Sequence, residues 1–377
     1  MEFPFKNDWI LSKLNSIEEF RESKGRSEIQ VRPVGENGFL ANVYLITVDL
    51  SNGKRLEVVI KLCGQVLQDW EELSNRDRLL ATIHKRECMF YDRFGSDIPL
   101  PIPKVYSFAE ATPGKVPGYV MMESLLARGE TFHFSQGLSL AQLLELARFV
   151  ARMQAFSLNL EDKSWLEEFE KPNYDLSLQD EFIVKTYQRL KPLRDSALKS
   201  EAEILETHVK QDFMTLSQYQ IHKQLGIPSV LCHGDLWTHN VLWNVEGNGI
   251  ECVFDFQGAH AGNPAWDLAR LLVLCTDVEE RNGHWEQIFE EYYSTLKGLV
   301  SGSVPFTLEQ VKRLYEYTFV NQAVQFGCCL VAQYEDLKVK EVENYSFYEA
   351  RFENVYKRAT CALREAAEKA EKLKQSD

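Results

Sequence analysis

Three polar residues close together in the chain, Asp235, Asn240 and Asp255, have the types and spacing needed for metal-assisted phosphoryl chemistry. His233-Gly-Asp235 is followed by Asn240 at the offset of the H-x-D-x-x-x-x-N loop, in which the Asp accepts a hydroxyl proton and the Asn holds a metal. Carboxylate and amide oxygens suit Mg²⁺, which keeps coordination positions for phosphate oxygens. The stretch therefore predicts Asp235 as the catalytic base and Asn240 and Asp255 as metal ligands.

The segment between these residues predicts a β-hairpin. Two apolar stretches flank Gly247-Asn-Gly249, which is a turn signal. If the turn is centred between Gly247 and Asn248, Asn240 and Asp255 occupy paired positions of an antiparallel ladder. We therefore expect their side chains to face each other.

The residues before 125 predict a mostly β unit that carries one helix. Phe39–Leu50 and Leu56–Cys63 are rich in β-branched residues and flank a turn signal at Ser51–Lys54. Apolar residues recur at helical spacing over about 73–94, and Val105–Phe108 and Gly118–Met122 indicate two more short strands.

The residues after 125 are mostly helical in pattern. Ser139 can cap one helix, and further helical patterns cover 176–225, 284–299, 307–335 and 343–374. We therefore expect an α+β chain with an N-terminal unit over 1–124 and a helical unit over 125–377. The helical unit would hold a catalytic loop at 231–243 and a metal-binding hairpin end at 250–258.

The stretch around Asp235 resembles the CHK kinase-like family, which groups nematode and insect ecdysteroid kinase-like proteins with choline and aminoglycoside phosphotransferases. The residues that carry the resemblance are Val230-Leu-Cys-His-Gly-Asp-Leu-Trp-Thr-His-Asn-Val-Leu-Trp243, Asp255-Phe-Gln and Gly262-Asn-Pro-Ala-Trp-Asp267-Leu-Ala-Arg270. The resemblance implies a bilobal protein-kinase-like fold, with a small β-rich N-lobe and a larger, mostly helical C-lobe. It also implies ATP and Mg²⁺ as cofactors, a small-molecule hydroxyl acceptor, and a bracing role for Asp267 through hydrogen bonds to the loop backbone.

The same resemblance implies nucleotide-binding residues upstream, and residues of the right type are present. Lys61 ends Val58-Val-Ile-Lys61, the strand context of a lysine that binds the α and β phosphates, and Glu87 is placed to orient it from the helix. A phosphate-covering turn would contain Gly35, Asn37 and Gly38. A hinge that meets adenine with backbone groups would contain Glu123 and Leu125.

Two departures from protein kinases favour a small acceptor over a protein substrate. Gly234 stands where protein kinases have Arg, and Gly262 follows Asp255 too closely for a long activation loop. Two alternatives stay open at this point. One is a kinase-like module that binds a metabolite without turnover, since the glycine turn is not a full G-x-G-x-x-G. The other is metal-assisted hydrolysis, for which the chain lacks a second His/Asp cluster with ligand spacing.

Composition restricts the partners. The 377 residues include 42 basic and 56 acidic side chains, a formal net charge of −14, which is unsuited to bulk nucleic-acid binding. The 8 cysteines form no CxxC pair and suit a reducing compartment. The first residues lack a signal-peptide pattern, and no apolar run reaches the roughly 18 residues of a membrane helix. We therefore expect a cytoplasmic protein that binds neither nucleic acid nor membrane.

Overall fold

The computed structural model describes residues 3–23, 26–34, 41–63, 75–112, 118–172, 176–339 and 345–375. The chain divides into two compact units. The first contains Met1–Asp97, Pro101–Gly129 and Cys252–Gly258, and the second contains Ile98–Leu100, Glu130–Glu251 and Ala259–Asp377. The expected boundary after residue 124 therefore falls inside the first unit, and most of the predicted metal-binding hairpin end belongs to the first unit as well.

The first unit is built on a five-stranded sheet with three helices. The strands are β1 (Arg26–Pro33), β2 (Ala41–Leu50), β3 (Arg55–Cys63), β4 (Val105–Ala109) and β5 (Tyr119–Glu123). The helices are α1 (Asn7–Leu14), α2 (Glu18–Glu22) and α3 (Asn75–Phe94). The sheet order is β1-β2-β3-β5-β4, and each neighbouring pair is antiparallel.

The alternation of apolar and polar residues in strand β3 places Lys61 on the face opposite the apolar cluster. Leu56, Val58, Ile60 and Leu62 are buried in a cluster that also holds Ile10 of α1 and Phe20 of α2. Successive side chains of a strand point to opposite faces. Lys61, between Ile60 and Leu62, therefore points to the face opposite this cluster.

The second unit is mainly helical. Its helices are α4 (Leu140–Asn159), α5 (Trp165–Phe169), α6 (Leu176–Leu190), α7 (Lys199–His208), α8 (Gln211–Thr215), α9 (Ile221–Gln224), α10 (Trp266–Leu274), α11 (Val278–Leu299), α12 (Leu308–Val339) and α13 (Tyr345–Gln375). Its short strands are β6 (Val230–Cys232), β7 (Val241–Trp243), β8 (Ile250–Val253) and β9 (His260–Gly262), and β8 continues into the first unit. β6 pairs antiparallel with β9, and β7 and β8 form a two-stranded sheet.

Helix α10 is buried along its whole length. Its buried residues include Asp267 and Arg270. A helix buried all round must pair its polar side chains with partners inside the protein. Hydrogen bonds inside the protein therefore fix the positions of Asp267 and Arg270.

The predicted α+β class, with a small β-rich unit and a larger, mostly helical unit, is confirmed. Ser139 caps α4 with a capping box, in which its side chain and Gln142 bond each other's backbone N–H groups. The helices α1 and α2 were not predicted, because their short apolar patterns gain stability only by packing on the sheet. No helix in the described ranges has the length and apolar character required to cross a bilayer.

The predicted hairpin forms, but the expected pairing of Asn240 with Asp255 was wrong. Asn240 ends a 3-10 turn, Thr238–Asn240, and β7 begins only at Val241. Asp255 follows the end of β8 and has a left-handed φ of 68°. Both residues therefore lie beyond the ends of the ladder, where local turn geometry sets their orientation.

A buried histidine gives the fold a testable dependence on pH. His222 is fully buried beside Ser229, with 2.9 Å between Nε2 and Oγ. Burial, with a smaller contribution from Lys223, lowers the pKa of His222 to about 3. The unfolded chain takes up a proton near pH 6.5, but the folded chain does not. The stabilisation is therefore complete above pH 6.5 and is lost as the pH falls towards 3.

We predict that the unfolding free energy of the unaltered protein falls, relative to that of His222→Gln, by about 1.4 kcal/mol per pH unit below 6.5. Urea unfolding of both proteins between pH 7.5 and 4.5 measures this difference. His284→Gln, at a more exposed histidine, is the control. A difference between the unaltered protein and His222→Gln that stays constant with pH would contradict the assignment.

Candidate active site

The first unit brings Lys61, Glu87 and Asp255 together. The Nζ atom of Lys61 donates to Oε2 of Glu87 at 2.8 Å and to Oδ1 of Asp255 at 2.5 Å. The lysine comes from β3, the glutamate from α3, and the aspartate from the segment after β8. One ammonium is thus shared by two carboxylates that are distant in sequence.

Aromatic packing fixes the segment that carries Asp255. Phe256 stacks on Phe90 of α3, with ring centroids 3.8 Å apart and planes 3° from parallel. Phe90 is one turn from Glu87, so the two share a face of α3. Asp255 adopts its left-handed backbone, which Asp tolerates better than most residues, directly before this anchored ring. The same helix face therefore positions both carboxylates.

Burial and the neighbouring opposite charges shift the pKa values of Lys61 and Glu87 in opposite directions. Burial alone would lower the pKa of Lys61, but the charges and hydrogen bonds of Asp255 and Glu87 raise it above its ordinary value. Burial and the charge of Asp255 raise the pKa of Glu87, and Lys61 only partly offsets this effect. Lys61 therefore stays cationic, as a phosphate-binding residue must.

The second unit holds the catalytic-loop residues. The carboxylate of Asp267 accepts the backbone N–H of His233 at 2.8 Å and that of Gly234 at 3.0 Å. This is the bracing contact that the family resemblance implies. Burial raises the pKa of Asp267 to about 6, although these N–H groups and the charge of Arg270 lower it in part. The loop backbone is thereby tied to α10.

The structure gives a reason for Gly234. Its φ is 83°, in the left-handed region that L side chains adopt at a cost in energy. Its N–H donates to Asp267, and its carbonyl accepts Nε1–H of Trp266 at 3.3 Å. A glycine therefore lets the backbone follow this path without strain.

Asp235 has a hydrogen-bond donor on each oxygen. Asn240 Nδ2 donates to Asp235 Oδ2 at 3.2 Å and to its backbone carbonyl at 2.8 Å. Arg270 Nη2 donates to Asp235 Oδ1. The carboxylate is held in one orientation, and the side chain is 22% exposed. Because the amide nitrogen of Asn240 faces Asp235, its oxygen is the atom left to serve as a metal ligand.

Arg270 is a site residue that the sequence analysis did not assign. Its Nη1 donates to Oε1 of Gln322 at 2.9 Å and to Oε1 of Gln325 at 2.8 Å, both on α12. The sequence feature that could have identified Arg270 is its position at the end of Gly262-Asn-Pro-Ala-Trp-Asp267-Leu-Ala-Arg270. The two glutamines lie in a helical pattern that carries no motif, so only the fold reveals them.

The predicted nucleotide-binding turn and hinge remain predictions. Gly35, Asn37 and Gly38 lie outside the described residues. Glu123 ends β5, and its backbone N–H donates to Lys104 O at 2.9 Å. The Leu125 carbonyl accepts the N–H of Arg128 at 2.9 Å. These two backbone groups already have partners within the first unit.

The residues assigned to magnesium supply suitable atoms. Asp255 offers a carboxylate and Asn240 an amide oxygen, both hard ligands. No cluster of three or more His, Cys, Asp or Glu that could hold a metal occurs in the described part of the chain. Mg²⁺ in nucleotide sites binds one or two carboxylates plus phosphates and water, so a full protein cage is not required.

The family model described as DUF1679, Uncharacterized oxidoreductase dhs-27, matches residues 46–361, and the chain belongs to this family. Two Caenorhabditis elegans proteins are similar to it. The chain is 28% identical over 258 residues to "Uncharacterized kinase-like protein D1044.1", covering 66% of each chain. It is 23% identical over 341 residues to "Uncharacterized oxidoreductase dhs-27", covering 84% of this chain and 41% of that protein. The chain thus spans less than two thirds of either relative's length.

Solved structures show the same fold. A choline kinase of Cryptosporidium parvum superposes with a TM-score of 0.56 at 15% identity, covering 98% of this chain and 97% of that one. APH(2″)-IIia, solved with GDP and kanamycin, gives a TM-score of 0.50 at 15% identity, covering 93% and 98%. Together with the kinase-like relative, these structures confirm the resemblance to the CHK kinase-like family.

We predict that Asp267→Asn lowers the free energy of unfolding by about 1–3 kcal/mol, because one of the two loop N–H groups that Asp267 accepts loses its acceptor. Urea unfolding measures the change. Asp336→Asn makes the same chemical change at an exposed position of α12 and should stay within about 0.5 kcal/mol of the unaltered protein. Equal stabilities for the two variants would show that Asp267 does not brace the loop.

Proposed function

We propose that this chain is an ATP- and Mg²⁺-dependent phosphotransferase that phosphorylates a hydroxyl group of a small molecule. The observation that carries the proposal is Lys61 held between Glu87 and Asp255. A cationic strand lysine oriented by a helix glutamate is the arrangement that kinases use for nucleotide phosphates. The small-molecule kinases among the structural neighbours support the same class of reaction.

Each residue receives a role that its contacts permit. Lys61, aligned by Glu87, binds the α and β phosphates. Asp235 orients the acceptor hydroxyl and takes its proton as the bond to phosphorus forms. Asn240 and Asp255 would hold Mg²⁺, which would supply positive charge to offset that of the phosphates. Catalysis consists mainly of positioning and charge stabilisation.

The acceptor is a hydroxyl compound such as a steroid, a glycoside or another alcohol. Choline-like compounds, which also carry a hydroxyl group, belong to the proposed acceptors. Because Gly262 follows Asp255 closely, the chain has no room for the long activation loop of protein kinases. This supports a small acceptor rather than a protein.

The oxidoreductase name of one relative does not lead us to propose hydride transfer. That name belongs to a protein of which this chain covers 41%. Dinucleotide-binding folds use parallel βαβ units. The five-stranded sheet here pairs antiparallel at every neighbouring position. Lys61, which this sheet positions, has the residue type and strand context of a lysine that binds nucleotide phosphates.

We also propose that the protein works in the cytoplasm. All 8 cysteines are free thiols, and Cys63, Cys88, Cys232, Cys252 and Cys275 are buried. Unpaired cysteines suit a reducing compartment. No disulfide is needed to stabilise cores of this size.

We predict that Asp235→Asn lowers phosphate transfer by about 10²–10⁴-fold, because the variant keeps its shape but cannot take a proton. Transfer from γ-labelled ATP into a metabolite extract measures the rate. ATP binding, followed by calorimetry, should change little. Asp336→Asn, exposed on α12, is the control for the same chemical change. Retained turnover in Asp235→Asn would rule out the role of Asp235.

We predict that Lys61→Met weakens ATP binding about ten- to a hundredfold, since a charge-assisted hydrogen bond to phosphate is lost. Calorimetric titration with ATP and Mg²⁺ measures the affinity. Lys54→Met removes an exposed lysine of the turn before β3 and should bind ATP as the unaltered protein does. An unchanged affinity in a folded Lys61→Met variant would contradict the assignment.

A further inference from the structure

The catalytic loop shows an alternation of burial that the roles above do not use. Leu236 and Thr238 are fully buried. Asp235, Trp237 and His239, which alternate with them, keep part of their side chains exposed. Trp237 has an extended backbone, with φ at −141° and ψ at 173°, and alternate side chains of an extended segment lie on the same side. The indole of Trp237 therefore lies on the same side of the loop as Asp235.

Trp237 and His239 belong to a cluster of four aromatic rings. Their ring centroids are 4.6 Å apart, and Phe134 contacts both rings at 5.6 and 5.7 Å. His133 reaches His239 at 5.4 Å. Phe134 is 4% exposed and forms the buried base of the cluster, whereas the other three rings keep part of their surface open. We call His133, Trp237 and His239 the aromatic face.

Hydrogen bonds hold the aromatic face in position from behind. The backbone N–H of Ser135 donates to Nδ1 of His133 at 3.1 Å. Arg358 of α13, which is 2% exposed, donates through Nη2 to the carbonyl oxygen of Phe134. The segment on which the exposed rings pack is thus tied down at two points. A binding surface that is already ordered loses little entropy when a ligand arrives.

The histidine rings of the aromatic face are neutral near pH 7. Burial, with a smaller contribution from the charge of Arg351, lowers the pKa of His239. Nδ1 of His133 accepts a backbone hydrogen bond, which requires that this nitrogen carries no proton. A neutral ring is covered by an apolar group at a lower cost in desolvation than a charged ring. The face is therefore suited to contact with carbon atoms.

We propose that the aromatic face is an acceptor subsite that packs against an apolar ring of the substrate. The substrate is then an alcohol with an aromatic or alicyclic ring next to the hydroxyl that meets Asp235. Three adjoining rings offer more apolar surface than one methyl or ammonium group covers, and ring pairs attract each other beyond the burial of area. The acceptor is the occupant because the face and Asp235 belong to the same loop. This inference rests on the proposed phosphotransferase function and narrows its acceptors.

The test offers γ-labelled ATP, Mg²⁺ and the unaltered protein two halves of one metabolite extract, separated at pH 7 on a reversed-phase column. We expect label on a retained compound that has an apolar ring next to the labelled hydroxyl, as identified by mass spectrometry and NMR. Label confined to the unretained half, to added choline, or to compounds without such a ring would overturn the subsite while supporting phosphate transfer. No label on any compound would overturn the proposed function and the subsite with it.

A matched pair of variants tests the indole itself with the labelled acceptor. Trp237→Leu removes it, and Trp285→Leu makes the same change at a partly buried tryptophan of α11 that stacks on Tyr315 of α12. We expect Trp237→Leu to raise the KM for the acceptor about tenfold and Trp285→Leu to raise it at most about threefold. The KM for ATP should stay constant in both variants.

A conservative variant separates ring contact from a structural role of the indole. Trp237→Phe keeps an aromatic ring, so its acceptor KM should stay within about threefold of that of the unaltered protein. Equal acceptor KM values for folded Trp237→Leu and Trp285→Leu would contradict the subsite. The fractionation experiment uses the unaltered protein and does not depend on the folding of any variant.

Discussion

The ammonium of Lys61, shared by two carboxylates, is the interaction on which the first unit depends. Charges this deeply buried persist only when they are paired, because desolvation penalises each ion by itself. The alternation of β3 turns Lys61 away from the apolar cluster, and α3 supplies Glu87. The stacked Phe90 and Phe256 rings hold the segment that carries Asp255. The register of the sheet, the face of α3 and the aromatic packing together position Lys61, Glu87 and Asp255.

The second unit follows the same rule with different partners. Asp267 is buried in α10 and is compensated by backbone N–H groups, which fix the loop that carries Asp235. Asp235 is held from two sides by Asn240 and Arg270. A carboxylate with its geometry set in advance loses little entropy when an acceptor binds, and this is the main contribution a phosphotransferase can make. Arg270 extends the arrangement to α12, where it donates to the amide oxygens of Gln322 and Gln325.

Much of the fold could be predicted from the sequence, because the alternation of apolar residues in strands and their spacing in helices indicate which residues are buried. β2, β3 and α3 were predicted close to their observed bounds, and the start of α4 was predicted from Ser139. The short helices α1 and α2 were missed because tertiary packing, not local pattern, stabilises them. The Asn240–Asp255 pairing was wrong because it assumed a regular ladder up to residues that turn geometry places. Motif spacing pointed to Asp235, and the family resemblance pointed to Lys61 and Glu87. The contacts of Arg270 with Gln322 emerged only from the packing of α10 and α12.

The most direct test of the central claim follows the phosphoryl group itself. The protein is incubated with Mg²⁺, a metabolite extract and ATP that carries ¹⁸O in its γ-phosphoryl group, and the products are identified by mass spectrometry. The account predicts ADP together with a small molecule that has gained the labelled phosphoryl group on a hydroxyl oxygen. Label that appears only in inorganic phosphate, or remains entirely in ATP with every fraction of the extract, would contradict it.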